Sequence, residues 1–302
     1  MALKDIKTKI QATKRMHTVT RAMEAVSAVK MRKSQQAAFA SRPFAHRAIS
    51  ILARISGSGH FSTHTLMTPR DVKRIALVVV TSDKGLAGSL NSAVLKEAGS
   101  VARNHSTDAV DVYTIGKKAG DFFQRRGFNL AMNVPNNSDD VSSTMTREIA
   151  DALVRAYSAG TIDQAIVVYS NLLSTFEQVA TSRLLMPLSL ESVTQLLKDI
   201  TPVKGKWSND VDVVCPVAYS VESSGQSVLD AIVPKLVSSS LYHMMIESKA
   251  SEHSARMVAM KNARDKSQEV AKSLTRTYNK IRQAAITREV SEIVSGREAL
   301  AT

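Results

Sequence analysis

The sequence predicts an α/β protein in which long N- and C-terminal helices pair as an antiparallel coiled coil and an α/β domain is inserted between them. Three observations carry this expectation. Both ends of the chain lack helix breakers over unusual lengths, apolar or small residues recur there at steps of three and four, and the middle alternates β-branched runs with helical stretches. The expected divisions are an N-terminal helix over 1–56, an α/β domain with its connecting segments over 57–234, and a C-terminal helix over 235–302.

From Leu3 to about Ile55 there is one proline, Pro43, and no glycine. Leu3, Ile6, Ile10, Thr13, Met16, Val19, Met23 and Val26 fall at coiled-coil spacing, with the step of three repeated between Ile10 and Val19. Alone, this pattern also fits a surface helix with a solvated basic face. A partner appears at the other end, where Lys235 to Val294 contains neither glycine nor proline, far beyond the roughly 12-residue average helix. Met260, Ser267, Leu274 and Ile281 form one heptad series there, and Ala263, Val270, Thr277 and Ala284 the other. The seam is poor in large residues.

The middle opens with Arg74 to Thr81, a β-branched run that reads as a buried strand. The loop Ser82-Asp-Lys-Gly-Leu-Ala-Gly88 leads into a helix over Ser89–Ala102. A strand at Val110–Ile115, helices at Lys117–Arg126 and Ser143–Ala159, and a strand at Gln164–Ser170 follow, with an edge or antiparallel strand at Gln178–Pro187. Such alternation argues for a largely parallel, Rossmann-like sheet.

Net charge is +13 and is concentrated at the ends: +10 over 1–54, +5 over 235–302 and −2 between them. A basic balance of this kind suits nucleic acid, an anionic membrane or an acidic protein partner. A basic coiled-coil nucleic-acid-binding protein is therefore the alternative reading, although 5% aromatic content and one tryptophan, Trp207, leave few stacking platforms. The lone Cys215 excludes an intramolecular disulfide, and no uncharged apolar run approaches the length of a membrane span.

Candidate chemistry is sparse. The glycines of the 82–88 loop could offer N–H groups to a phosphate, but they match neither the dinucleotide nor the P-loop spacing, and a structural strand-to-helix turn accounts for them better. His60 and His64 stand four apart beside Gly57 and Gly59, a weak metal pair in a loop. Asp139-Asp140 reads as a solvated turn, and no G-x-S-x-G elbow is present. No cofactor, metal or catalytic site is expected.

Ile6–Ile10 and Val19–Gln35 resemble the N-terminal helix of the gamma subunits of F-type ATP synthases. Ala250–Ala263, Leu274–Glu289 and Glu292–Gly296 are similar to that family's C-terminal signature, and Ser82–Gly88 to its central loop. The resemblance implies a non-catalytic rotor subunit: paired helices turning inside a ring of three alpha and three beta subunits, with the α/β domain near a proton-driven membrane ring. It implies beta-subunit contacts at Met23, Arg282, Gln283, Thr287 and Glu289, and membrane-ring contacts at Tyr219 and Glu222, where Ser220–Gly225 departs from the commoner proline-containing pattern. Arg21, Lys30, Arg32 and Lys33 would face acidic beta-subunit loops. Ala87 stands where many relatives carry Cys and Lys84 where many carry Arg. An epsilon subunit is a further implied partner. The expected location is the cytoplasmic face of a bacterial inner membrane, with the matrix side of the mitochondrial inner membrane as the alternative.

Overall fold

The computed structural model describes residues 3–56, 64–189 and 225–301. In chain order the elements are α1 (Leu3–Ser56), β1 (Ile75–Val80), α2 (Leu90–Arg103), β2 (Val110–Ile115), α3 (Lys117–Gln124), β3 (Asn129–Val134), α4 (Ser143–Ser158), β4 (Gln164–Leu172), β5 (Gln178–Met186) and α5 (Gly225–Ala301). The chain divides into two compact units, Ala28–Ala255 and the pair of segments Met1–Ser27 and Arg256–Thr302.

Within Ala28–Ala255 the sheet runs β3-β2-β1-β4-β5, with β1 to β4 parallel and β5 antiparallel at one edge. β1 is buried along its whole length because both its faces are covered, as its unbroken apolar run requires. Ile75, Leu77 and Val79 point to the layer containing α2 and α3. Ala76, Val78 and Val80 point to α4 and to Leu229–Met245 of α5. The elements expected from sequence are all present. β3 is an addition: Asn129-Leu-Ala-Met-Asn-Val134 has only one β-branched residue, and as an edge strand it alternates exposed and half-buried side chains. α5 also begins before Lys235 and carries Pro234 inside it.

In the other unit the two helical segments run antiparallel. Arg264 pairs with Glu24 at 2.6 Å. Further along, Thr18 and Lys14 flank the same groove as Ala271 and Thr275, so numbering falls on α1 as it rises on α5. The inward positions of α1 are Leu3, Ile6, Ile10, Thr13, His17, Thr20, Glu24 and Ser27, an unbroken alternation of three and four. This corrects the seam after Thr13. Met16, Val19 and Val26, the larger apolar residues, are more than half exposed, while Thr20 and Ser27 are buried. On α5 the series Met260, Ser267, Leu274 and Ile281 turns inward as expected. The second series falls one residue later, at Arg264, Ala271, Tyr278 and Ala285, leaving Val270, Thr277 and Ala284 exposed. Helical period sets the seam, and side-chain volume does not.

Gly116 caps α3 at φ +102, and a Cβ there would collide with the carbonyl of Thr81. Gly116→Ala should therefore cost about 3 kcal/mol or more in urea unfolding of the full chain, whereas Gly85→Ala, with open space around it, should stay within about 0.5 kcal/mol.

Candidate functional site

In open α/β sheets, ligands bind outside the carboxyl ends of the strands where the strand order reverses, here between β1 and β4. That edge is filled by the chain itself. Asp83, just past β1, accepts hydrogen bonds from the Lys117 N–H (2.7 Å) and the Asn136 N–H (3.0 Å). A carboxylate thus occupies the start of α3, where a phosphate would otherwise find free N–H groups. Asn136 donates its side-chain amide to the Thr81 carbonyl at 2.7 Å. The Lys249 ammonium of α5, 4% exposed, reaches the backbone and side-chain oxygens of Asn136, each at 3.1 Å, and the Glu252 carboxylate at 3.3 Å. Ser251 donates to the Ser170 carbonyl at the end of β4 (2.9 Å), and Ser254 donates to that of Thr175. Burial, with Glu247 nearby, pushes the Tyr169 hydroxyl well above its ordinary pKa.

The 82–88 loop is a strand-to-helix turn that is also braced from outside through Asp83 and Asn91. Ser82 and Asn91 exchange hydrogen bonds, Ser82 donates to the Lys84 carbonyl at 2.7 Å, and Leu86 and Gly88 adopt positive φ. His64 accepts a hydrogen bond from the Leu66 N–H at Nδ1 and faces Asp230 at 3.4 Å, so it caps a 3₁₀ turn; burial lowers its pKa. Among the described residues no group of three His, Cys, Asp or Glu could hold a metal. His60, Trp207, Cys215, Tyr219 and Glu222 lie outside the described residues.

The remaining sequence-derived residues lie on exposed helix faces. Arg282, Gln283, Thr287 and Glu289 are all exposed, and Met23 is half-buried. By antiparallel register, α5 beyond about residue 286 has passed the end of α1. Ile286 and Ile293 there are 50% and 71% exposed, with Val290 and Val294 between those values. At about 100° per residue these four make one apolar stripe, bordered by Arg282 and Glu289 on one side and by Thr287 on the other, with Gln283 in line with it just before Ile286. The sequence reading named the polar border and missed the stripe, although the i, i+4, i+7 spacing of 286, 290 and 293 carries it. Met16, Val19 and Val26 make a second exposed stripe on α1. Each threonine of the described pair of segments turns its hydroxyl inward to the carbonyl one turn back, from Thr8, Thr13, Thr18 and Thr20 to Thr275, Thr277 and Thr287.

Two of the four basic residues expected to meet an acidic partner are engaged within the chain. Lys30 pairs with Asp139 at 2.7 Å and Lys33 with Asp140 at 2.8 Å. The acidic pair is therefore an anchor for α1 and not merely a solvated turn. The hydrogen bond from Lys30 holds the Asp139 carboxyl below its ordinary pKa.

A coiled-coil pair with exposed apolar stripes, joined to an α/β unit whose ligand crevice is filled by its own helix, defines a stalk-type protein that works through helix surfaces. Comparison with known proteins is specific. The ATP synthase family model matches residues 2–300. The chain is 36% identical to the ATP synthase gamma chain of Pelotomaculum thermopropionicum over 99% of both sequences. It is 37% identical to that of Chloroflexus aurantiacus over 98% of both. Among solved structures, a chain of the Euglena gracilis mitochondrial ATP synthase shares the fold with TM-score 0.64 at 16% identity, covering 99% of this chain and 94% of that one. A chain of the Tetrahymena thermophila central stalk and c-ring structure does so with TM-score 0.57 at 23% identity, covering 81% and 99%. The chain belongs to the ATP synthase gamma chain family and is a rotor-stalk subunit of an F-type ATP synthase. No helix among the described residues is long and apolar enough to cross a membrane.

Removing the Lys249 ammonium while leaving the buried Glu252 carboxylate should be costly. Lys249→Met is expected to destabilise the full chain by about 3 kcal/mol in urea unfolding, with much of the loss recovered in Lys249→Met/Glu252→Leu. The Asp139 pair should respond to acid. Because its folded pKa is depressed, its contribution is fully present above about pH 4 and is lost as pH falls through the folded value. An Asp139→Asn chain should accordingly show a shallower fall in stability between pH 5 and 3 on the same titration.

Proposed function

We propose that the segments 3–27 and 256–301 form a shaft turning inside a ring of alpha and beta subunits, and that the chain transmits torque between that ring and a proton-driven membrane ring without a catalytic site of its own. The observation that carries this is the uncovered apolar stripe Ile286–Val294 between two polar borders. An apolar strip in a soluble chain calls for a sheath, and apolar contact lacks the directional bonds that would stop rotation. Arg282, Gln283, Thr287 and Glu289 supply polar contacts to beta subunits at its margins, and Met23, level with Arg264 and far along the shaft from the stripe, supplies a thioether contact. As the asymmetric shaft turns, it contacts each catalytic subunit differently and so shifts that subunit's nucleotide affinity. Reciprocal linkage lets hydrolysis drive the shaft in turn.

Tyr219 and Glu222 are proposed contacts to the membrane ring, with an epsilon subunit as a further partner. The structural relatives come from assemblies that contain F1 and a c-ring, which supports the two rings as partners. The bacterial relatives support a place on the cytoplasmic face of a bacterial inner membrane.

A charge in the stripe tests the shaft directly. In the complex purified from native membranes through a tag on this chain, Ile286→Asp/Val290→Asp should lower ATP-driven proton pumping by about tenfold, equivalent to roughly 1.4 kcal/mol. Ser295→Asp, on the opposite face, should leave pumping within about twofold by the same measure. Equal loss in both variants would count against the stripe as the bearing surface. Failure to recover alpha and beta subunits at all, or ATP hydrolysis by the isolated chain, would overturn the wider reading.

A further inference from the structure

Midway along the paired segments, α1 and α5 flank an open groove of about 510 Å³ that four basic side chains line. Lys14, Lys272, Arg276 and the imidazole of His17 line it, with Ala271 at its apolar floor and Thr18, Gln268 and Thr275 at its walls. No carboxylate lines it. The nearby acids are already engaged: Glu24 and Asp265 with Arg264, and Glu269 with Lys266. None of the four basic side chains has an ion-pair partner among the described residues.

We propose that this groove is a binding site for a short polyphosphate chain, either free or carried by a nucleotide. Two ammonium groups act as point charges and a guanidinium offers a planar fork to phosphate oxygens, while Gln268 adds amide donors at the wall. A carboxylate-bearing segment of a partner would satisfy the same donors. Compactness favours the small anion, and so does rotation, a point that rests on the proposed shaft function. An anion held only by groups on the shaft keeps every contact at every angle, whereas a segment of a surrounding ring meets the groove at only part of each turn. The bound anion would offset the like-charge repulsion between the two helices at this level.

The test is calorimetric titration of the full-length chain with inorganic tripolyphosphate and, separately, with ATP. Saturable binding of one anion per chain is expected. It should weaken about tenfold or more in Lys272→Gln/Arg276→Gln and stay within about twofold in Lys261→Gln/Arg297→Gln, which removes the same charge elsewhere on α5. ATP binding tighter than tripolyphosphate would identify the nucleotide as the source, and equal or weaker binding the free polyphosphate. Equal losses in the two double variants would reduce the effect to non-specific charge and overturn the site. Absence of saturable binding would overturn it too. Carbodiimide coupling of Lys14 or Lys272 to a partner carboxylate in the assembled complex, without anion binding, would reassign the groove as a docking surface. Apart from the coupling, none of these outcomes depends on whether the ring co-purifies.

Discussion

The Lys249 ammonium lies within hydrogen-bonding reach of both oxygens of Asn136 and of the Glu252 carboxylate, almost out of contact with water. Through Asn136 it is joined to Asp83 and Thr81, and through Asp83 to the first turn of α3. Four separate stretches of chain thus meet around one buried charge, and each would leave a desolvated group unanswered without the others. The consequence is architectural. The crevice that open α/β sheets offer to ligands is closed by a helix, and the sheet becomes a mount for that helix.

The paired segments follow a different logic. Their seam contains Thr20, Ser27, Ser267 and Ala271, so the stabilisation available from apolar burial along it is modest. Register is kept by helical period and by the Arg264–Glu24 pair. The large apolar residues freed from the seam become outward stripes. A chain designed to stand alone would place Met16, Val19 and Val26 inside; their outward position makes sense for a shaft within a sheath.

Much of this was legible in the sequence because strong periodicity and β-branched runs are local signals. The β1 run Ile75–Val80, its following loop and the breaker-free ends are examples. β3 was not legible, since Asn129, Ala131 and Asn133 carry no strand preference and only pairing with β2 makes them extended. The seam was misplaced beyond Thr13 because a reading by hydrophobic size prefers Met16 and Val19, whereas the partner helix selects by angle. The pairing of Lys30 with Asp139 and of Lys33 with Asp140 joins residues more than a hundred positions apart, which no single-sequence pattern encodes. The same holds for Asp83, whose role depends on Asn136 and Lys117 arriving from other elements.

The threonines add a mechanical consequence. A hydroxyl that donates to its own helix at the exposed Thr8, Thr18, Thr277 or Thr287 has used its one proton, and cannot donate it to a neighbouring wall. Each such residue is polar in composition yet a poor partner for directional capture. A sheath sliding past it must break fewer hydrogen bonds per step, so the barriers between successive angular positions are lower. In the proposed shaft, friction along the paired helices would thereby be reduced by hydrogen bonds made inside them.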